Sequence, residues 1–131
     1  MSETYTITDL ATEFGVTPRT IRFYEDKNLL HPERQGLNRV FSRRDRARLQ
    51  LILRGKRLGF SLAIIREMLD LYDLGDGQVE QLRLTLKRSQ QRLAELERQR
   101  RDVNEAIREL KDGIVVLERA LAVKGVNGHQ Q

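Results

Sequence analysis

The side chains of this sequence best placed to do chemistry are two arginines, Arg19 and Arg22, three residues apart behind a Thr17-Pro18 pair. Guanidinium groups spaced this way share one helix face, and they suit hydrogen bonding to a nucleic acid rather than the making of bonds. A catalyst would need more. The 131 residues include no cysteine, which removes disulfides, thiolate metal sites, iron–sulfur clusters and cysteine nucleophiles together. His31 and His129 fall in an expected loop and in the tail, too few and too scattered for a metal site. No carboxylate pair lies near a histidine, no phosphate-cradling or dinucleotide glycine pattern occurs, and no nucleophile has a base beside it. The sequence reads as a binding protein, not an enzyme, with no cofactor.

Charge distribution points to the ligand. Residues 1–60 hold 12 Lys/Arg against 7 Asp/Glu, whereas residues 61–131 hold 12 against 12, so the whole net charge of +5 lies in the first part. Such asymmetry is the footprint of a domain that docks on phosphates, although a merely solvated basic face has the same composition. No run of 18 apolar residues occurs, and residues 1–20 lack a signal-peptide pattern. The expectation is a soluble, cytoplasmic protein with no membrane contact.

The arginines must be carried by a fold. Thr6 to Phe14 read as a short amphipathic helix with Thr8 placed to cap it, and Gly15 marks a bend. Thr17-Pro18 then supply the N-cap and first turn of a second helix, predicted to run through Lys27 and end at Asn28. Leu10, Ala11, Phe14, Gly15, Val16, Ile21 and Tyr24 have the offsets of a tight helix-turn-helix; a generic helical hairpin is the alternative. His31 to Phe41 read as a two-stranded wing with its turn near Gln35-Gly36-Leu37-Asn38. Ser42 and Asp45 form a capping box that opens a third helix to about Arg57, with Leu49, Ile52 and Leu53 inward. After Gly59, Ser61 caps a fourth helix, Leu62 to Tyr72, whose inner face is Leu62, Ile65, Met68, Leu69 and Tyr72. Residues 73–77 are predicted to break the chain.

Beyond that break runs a 3–4 repeat: Val79, Leu82, Leu86, Ser89, Leu93, Leu96, Arg100, Val103, Ile107, Leu110, Ile114, Leu117 and Leu121. Only Ser89 and Arg100 are not apolar. A stripe repeating every 3.5 residues leaves water by facing a matching stripe. At 1.5 Å per residue it spans roughly 64 Å as a helix. Nothing else in the chain is long enough to cover it, so the expected partner is a second copy. Gly113 costs about 1 kcal/mol against alanine in a helix interior. The apolar phase holds beyond it, so the helix is predicted to continue, with a break at Gly113 as the alternative. The expected organisation is a DNA-binding domain over 1–73, a dimerisation helix over 78–122 and a flexible tail over 123–131.

The succession of parts resembles the MerR family of transcription regulators. The matching residues are Tyr5-Thr6-Ile7 through Leu10-Ala11, then Gly15-Val16-Thr17-Pro18-Arg19-Thr20-Ile21-Arg22-Phe23-Tyr24-Glu25. Leu29-Leu30-His31-Pro32, Arg39-Val40-Phe41-Ser42, Asp45, Leu58-Gly59-Phe60-Ser61-Leu62 and Ile65-Arg66 continue it. Residues 51–60 and 69–73 look like the family's regulators of leucine and isovalerate catabolism. The resemblance implies an all-α fold with a small β wing: a winged helix-turn-helix DNA-binding domain followed by a long antiparallel coiled-coil dimerisation helix.

It further implies that the second helix enters the major groove. There Thr17, Arg19, Thr20 and Arg22 would meet the bases, with a bidentate arginine–guanine contact worth roughly 1–3 kcal/mol of discrimination. Of Phe23 and Tyr24, one is expected in the core, and Tyr24 is assigned a dual role with its hydroxyl on a phosphate, a purely core position being the alternative. Arg39 in the wing, with Arg34, Asn38 and Arg43, would hold phosphates, which position without specifying. An antiparallel homodimer would set Arg100 close to the two-fold axis and require double-stranded DNA bearing an inverted-repeat operator. It would act on RNA polymerase indirectly, by bending and untwisting a promoter in response to a small-molecule effector. Three departures stand out. Asn28 replaces a usual glycine, Ile64 replaces a usual acid and is expected to expose an apolar group, and the sensor cysteines are absent, so metal sensing does not carry over. A protein-interaction hub built on the coiled coil, or an architectural DNA protein without sequence preference, are the rival readings.

Overall fold

The computed structural model describes residues 3–72 and 77–125. Its elements follow in chain order: β1 (Thr4–Tyr5), α1 (Ile7–Phe14), α2 (Pro18–Asp26), β2 (Glu33–Gln35), β3 (Asn38–Ser42), α3 (Arg43–Leu58), α4 (Leu62–Tyr72) and α5 (Gly77–Val123). Of the expected break at 73–77, Gly77 already belongs to α5, and of the expected tail at 123–131, Val123 still does; residues 73–76 and 126–131, with His129, lie outside the described residues.

Local chemistry explains most boundaries. The cap of α1 is Thr6, not Thr8. Thr6 Oγ1 accepts from the Asp9 N–H at 3.0 Å while Asp9 Oδ2 accepts from the Thr6 N–H at 2.9 Å. A cap at Thr8 would put Ala11 in the reciprocating position, and alanine has nothing to return. Gly15 (φ 66°) ends α1 in the left-handed region, where a side chain would be strained. Asn28 takes φ 61° after α2, as its type allows. The Ser42–Asp45 box opens α3, with Asp45 N–H to Ser42 Oγ at 3.1 Å and Ser42 N–H to Asp45 Oδ2 at 3.0 Å. Ser61 Oγ accepts from the Ile64 N–H at the start of α4.

The wing forms as a hairpin in which β2 and β3 pair antiparallel, Gln35 opposite Asn38 and Arg34 opposite Arg39. Gly36 (φ 65°) turns the chain between them. β1 adds a third, antiparallel strand on the other side of β3, with Tyr5 opposite Phe41. This strand has no counterpart in the sequence reading, because two residues carry no periodicity to detect.

One core joins these parts: Leu10 and Ala11 of α1, Ile21 and Tyr24 of α2, Leu29 and Leu30 of the following loop, Phe41 of β3, Leu49 and Ile52 of α3, Phe60, and Ile65 and Leu69 of α4. Leu53, Leu62 and Met68 pack against it as expected, half-buried; the side chain of Tyr72 lies outside the described residues. Ile64 corrects an expectation. It is half-buried and packs on the core, because the end of α4 that loses an acidic cap partner gains apolar contact instead. At Gly55 the helices α3 and α4 come so close that an added Cβ would sit 2.9 Å from Ile65 Cγ1.

By its internal contacts the chain divides into Met1–Arg88 and Ser89–Gln131. The first turns of α5 therefore belong with the globular part, where Arg88 Nη2 donates to Glu67 Oε2 of α4 at 2.8 Å and Leu84 is half-buried. α5 is a single helix of 47 residues that continues through Gly113. No helix among the described residues is long and apolar enough to cross a membrane.

Candidate nucleic-acid interface

The second helix, α2, turns Ile21 and Tyr24 into the core and leaves its opposite side open. On that open side stand Arg19, Arg22 and Phe23, the last 46% exposed. Spacings of three and four residues place them together. Thr17 Oγ1 accepts from the Thr20 N–H at 3.1 Å, and the two threonine hydroxyl oxygens lie 3.0 Å apart. Both threonines thus form the capping turn that starts the exposed face; Thr17 is exposed and Thr20 half-buried.

The two aromatic residues divide their tasks. Tyr24 is 6% exposed, and burial pushes its phenol above the ordinary value. Its ring meets Phe23 edge to face, with centroids 5.5 Å apart. Phe23 stays at the surface, and the Lys27 ammonium lies 5.5 Å from its ring centroid.

Several bonds fix α2 relative to the rest. Buried Arg48 donates from Nε to the Leu29 carbonyl at 2.9 Å, and buried Asp45 accepts from the His31 N–H at 3.1 Å. Arg66 of α4 donates to the Lys27 carbonyl. The segment leaving α2 is thereby held at three successive points. Positioning by buried, hydrogen-bonded groups is what a recognition surface requires.

Asn38 of the wing and Arg43, the first residue of α3, are exposed. Arg34 and Arg39 are engaged: Arg39 Nε donates to Glu25 Oε1 at 2.5 Å and Arg34 Nη2 donates to Glu25 Oε2 at 3.1 Å. Glu25 therefore joins the wing to the exposed helix, a role the sequence reading left unassigned. A signal for it exists. Glu25 and Asp26 are acids at the C-terminal end of α2, where the helix dipole opposes negative charge, so one of them needs a cationic partner. A concavity of about 580 Å³ between residues 4–8 and the wing, with Asn38 and Arg39 on its lining, adjoins the same surface.

In the second unit and the turns that lead into it, the apolar stripe is open. Val79, Leu82, Leu86, Leu93, Leu96, Val103, Ile107, Leu110, Ile114, Leu117 and Leu121 are 37–66% exposed. Ser89 and Arg100 are exposed among them. Val115, Val116 and Val123, off the stripe, are exposed as well, and the repeat gave no notice of them.

A helix-turn-helix with an exposed basic face, a β wing tied to it and a long C-terminal helix define a DNA-binding transcription regulator. The chain belongs to the MerR family: residues 5–71 match the MerR HTH family of regulatory proteins, and residues 46–113 match the family's "MerR, DNA binding" region. It is 35% identical over 98 residues to the HTH-type transcriptional regulator HmrR of Rhizobium leguminosarum bv. viciae, covering 74% of each chain. It is 41% identical over 69 residues to the HTH-type transcriptional regulator ZntR of Escherichia coli K12, covering 51% of this chain and 49% of that one. Among solved structures it is similar to HiNmlR, a MerR family regulator lacking the sensor domain, bound to promoter DNA. That likeness has a TM-score of 0.53 and 28% identity, covering 95% of this chain and 92% of the other.

Proposed function

We propose that this MerR-family regulator acts in the cytoplasm as a homodimer on an inverted-repeat promoter operator, with α2 reading base edges in the major groove and the wing holding phosphates. The observation that carries this reading is the joint presentation, within one packed unit, of exposed Arg19 and Arg22 on α2 and the cationic wing. HiNmlR, similar over nearly the whole of both chains, was solved on promoter DNA, which supports the same mode here. The open stripe of α5 supports pairing, since eleven apolar side chains at coiled-coil spacing have no cover within the described chain. An antiparallel pair places the two reading units far apart and calls for an inverted repeat spanning about two helical turns.

The regulated event we propose is bending and untwisting of the promoter, which biases RNA polymerase without touching it, in response to a non-metal small molecule. A chain without a cysteine offers no thiolate to a soft metal ion. The branched-chain catabolic regulators that residues 51–60 resemble suggest an acyl thioester or related acid as the effector.

Binding to duplexes selected by the protein from a random pool tests the division of labour. Arg19→Ala is expected to relax base preference at one position of each half-site, costing roughly 1–3 kcal/mol there. Arg43→Ala is expected to weaken all duplexes alike and to flatten the slope of log affinity against log salt by about one unit. Identical effects of the two changes on every sequence would overturn the assignment.

A further inference from the structure

Arg34 and Arg39 stand directly opposite each other across the wing hairpin. Like charges in that position repel and weaken the strand pair. Here a third group intervenes: the Glu25 carboxylate places one oxygen on each guanidinium, at 3.1 Å to Arg34 Nη2 and 2.5 Å to Arg39 Nε. Glu25 and Arg39 are each about one-fifth exposed, so the bridge is partly withdrawn from water. Two arginines converging on two oxygens of one anion is also the geometry by which such a pair takes a phosphate.

We propose that Glu25 is a specificity-setting residue that works as an internal stand-in for a DNA phosphate. It touches no base. It holds the wing's arginine fork in the orientation used on DNA, and it fixes that fork to the helix carrying Arg19 and Arg22. Wing and helix then meet the duplex in one relative position, so phosphate contacts form in full only where the base contacts also fit. The carboxylate simultaneously cancels part of the wing's charge, which holds down attraction to any sequence at all. Its effect is thus subtractive for random DNA and orienting for the operator. The inference rests on the proposal above that the wing meets phosphates, and Asn38→Ala, an exposed wing position outside the Glu25 bridge, tests that proposal separately through its effect on affinity for every duplex.

The test compares wild type, Glu25→Gln and Glu25→Asp on two duplexes: the tightest one selected by the wild type from a random pool, and a scrambled duplex of the same composition. Circular dichroism and melting temperature accompany each variant. Glu25→Gln is expected to bind the scrambled duplex several-fold more tightly, with a salt slope steeper by about one unit. Its preference for the selected duplex over the scrambled one should fall about tenfold. Glu25→Asp keeps the charge and is expected to recover the wild-type salt slope and most of the preference. A merely structural Glu25 would leave the salt slope unchanged and lower affinity for both duplexes by the same factor; that outcome overturns the proposal. So does a preference that survives Glu25→Gln intact. Should Glu25→Gln melt below the assay temperature, the double variant Arg34→Gln/Arg39→Gln decides instead. With both cations gone, Glu25 has nothing left to hold, and a Glu25→Gln change added to it must leave the duplex preference where it was.

Discussion

Tyr24 shows how one residue's environment sets a measurable property. Its ring sits in the core while its neighbour Phe23 faces out, although the two are adjacent and both aromatic. Burial raises the Tyr24 phenol above its ordinary value of 10.0, so the fold favours the neutral form. That preference stabilises the protein fully below pH 10 and is lost as pH rises through the folded-state value. Urea midpoints measured from pH 8 to 11 are expected to fall at the alkaline end, and Tyr24→Phe is expected to flatten that fall. An unchanged alkaline limb in the variant would place the titration elsewhere, for example at Tyr5, whose hydroxyl donates to Glu3 at 2.6 Å and whose phenol is also raised by its surroundings. Glu13 illustrates the opposite case at the surface. Its hydrogen bond to Arg46 lowers its carboxyl, so whatever it contributes is present above the ordinary 4.5 and disappears as the solution is acidified.

At the scale of the element, two glycines inside helices have opposite meanings. Gly55 lies where α3 meets α4, and a Cβ there would collide with Ile65, itself buried in the core. Alanine gains about 1 kcal/mol of helix propensity at such a site, whereas overpacking costs typically 1–3 kcal/mol. Gly55→Ala is therefore expected to lower stability by about 1 kcal/mol, read from urea unfolding. Gly113 has open space around its Cβ position within the chain. Gly113→Ala is expected to raise the helix content and melting temperature of α5 by an amount corresponding to as much as about 1 kcal/mol. A loss of stability there would mean that a second chain occupies the space. The sequence showed both glycines but could not rank them. Gly55 follows a helix pattern as regular as that around Gly113, and only the approach of α4 distinguishes the two.

For the molecule as a whole, the decisive issue is what covers α5. Residues 79–121 present an apolar stripe whose length calls for a covering partner. An antiparallel pair brings Arg100 near its own copy and sets Leu86 far from its own copy. The absence of native cysteines makes this simple to test. Arg100→Cys is expected to be joined to its copy by a short bis-maleimide, and Leu86→Cys is not. The reverse result would indicate parallel helices, and failure of both together with a monomeric sedimentation profile would remove the dimer.

Much of this protein was legible from residue order, because its signals are local. The Thr17-Pro18 start, the Ser42–Asp45 box, the left-handed Asn28 and the unbroken phase of α5 each depend on neighbours within a turn or two, and each appears where the sequence places it. The contacts that bring distant segments together were not legible. Strand β1 exists only because β3 offers it an edge, Ile64 is covered only because the core lies beneath it, and Glu25 acquires its role only when the wing folds back onto α2. Hydrogen bonds within a turn are specified by type and spacing alone, whereas an ion pair across nine or fourteen residues is decided by packing that no short window of sequence contains.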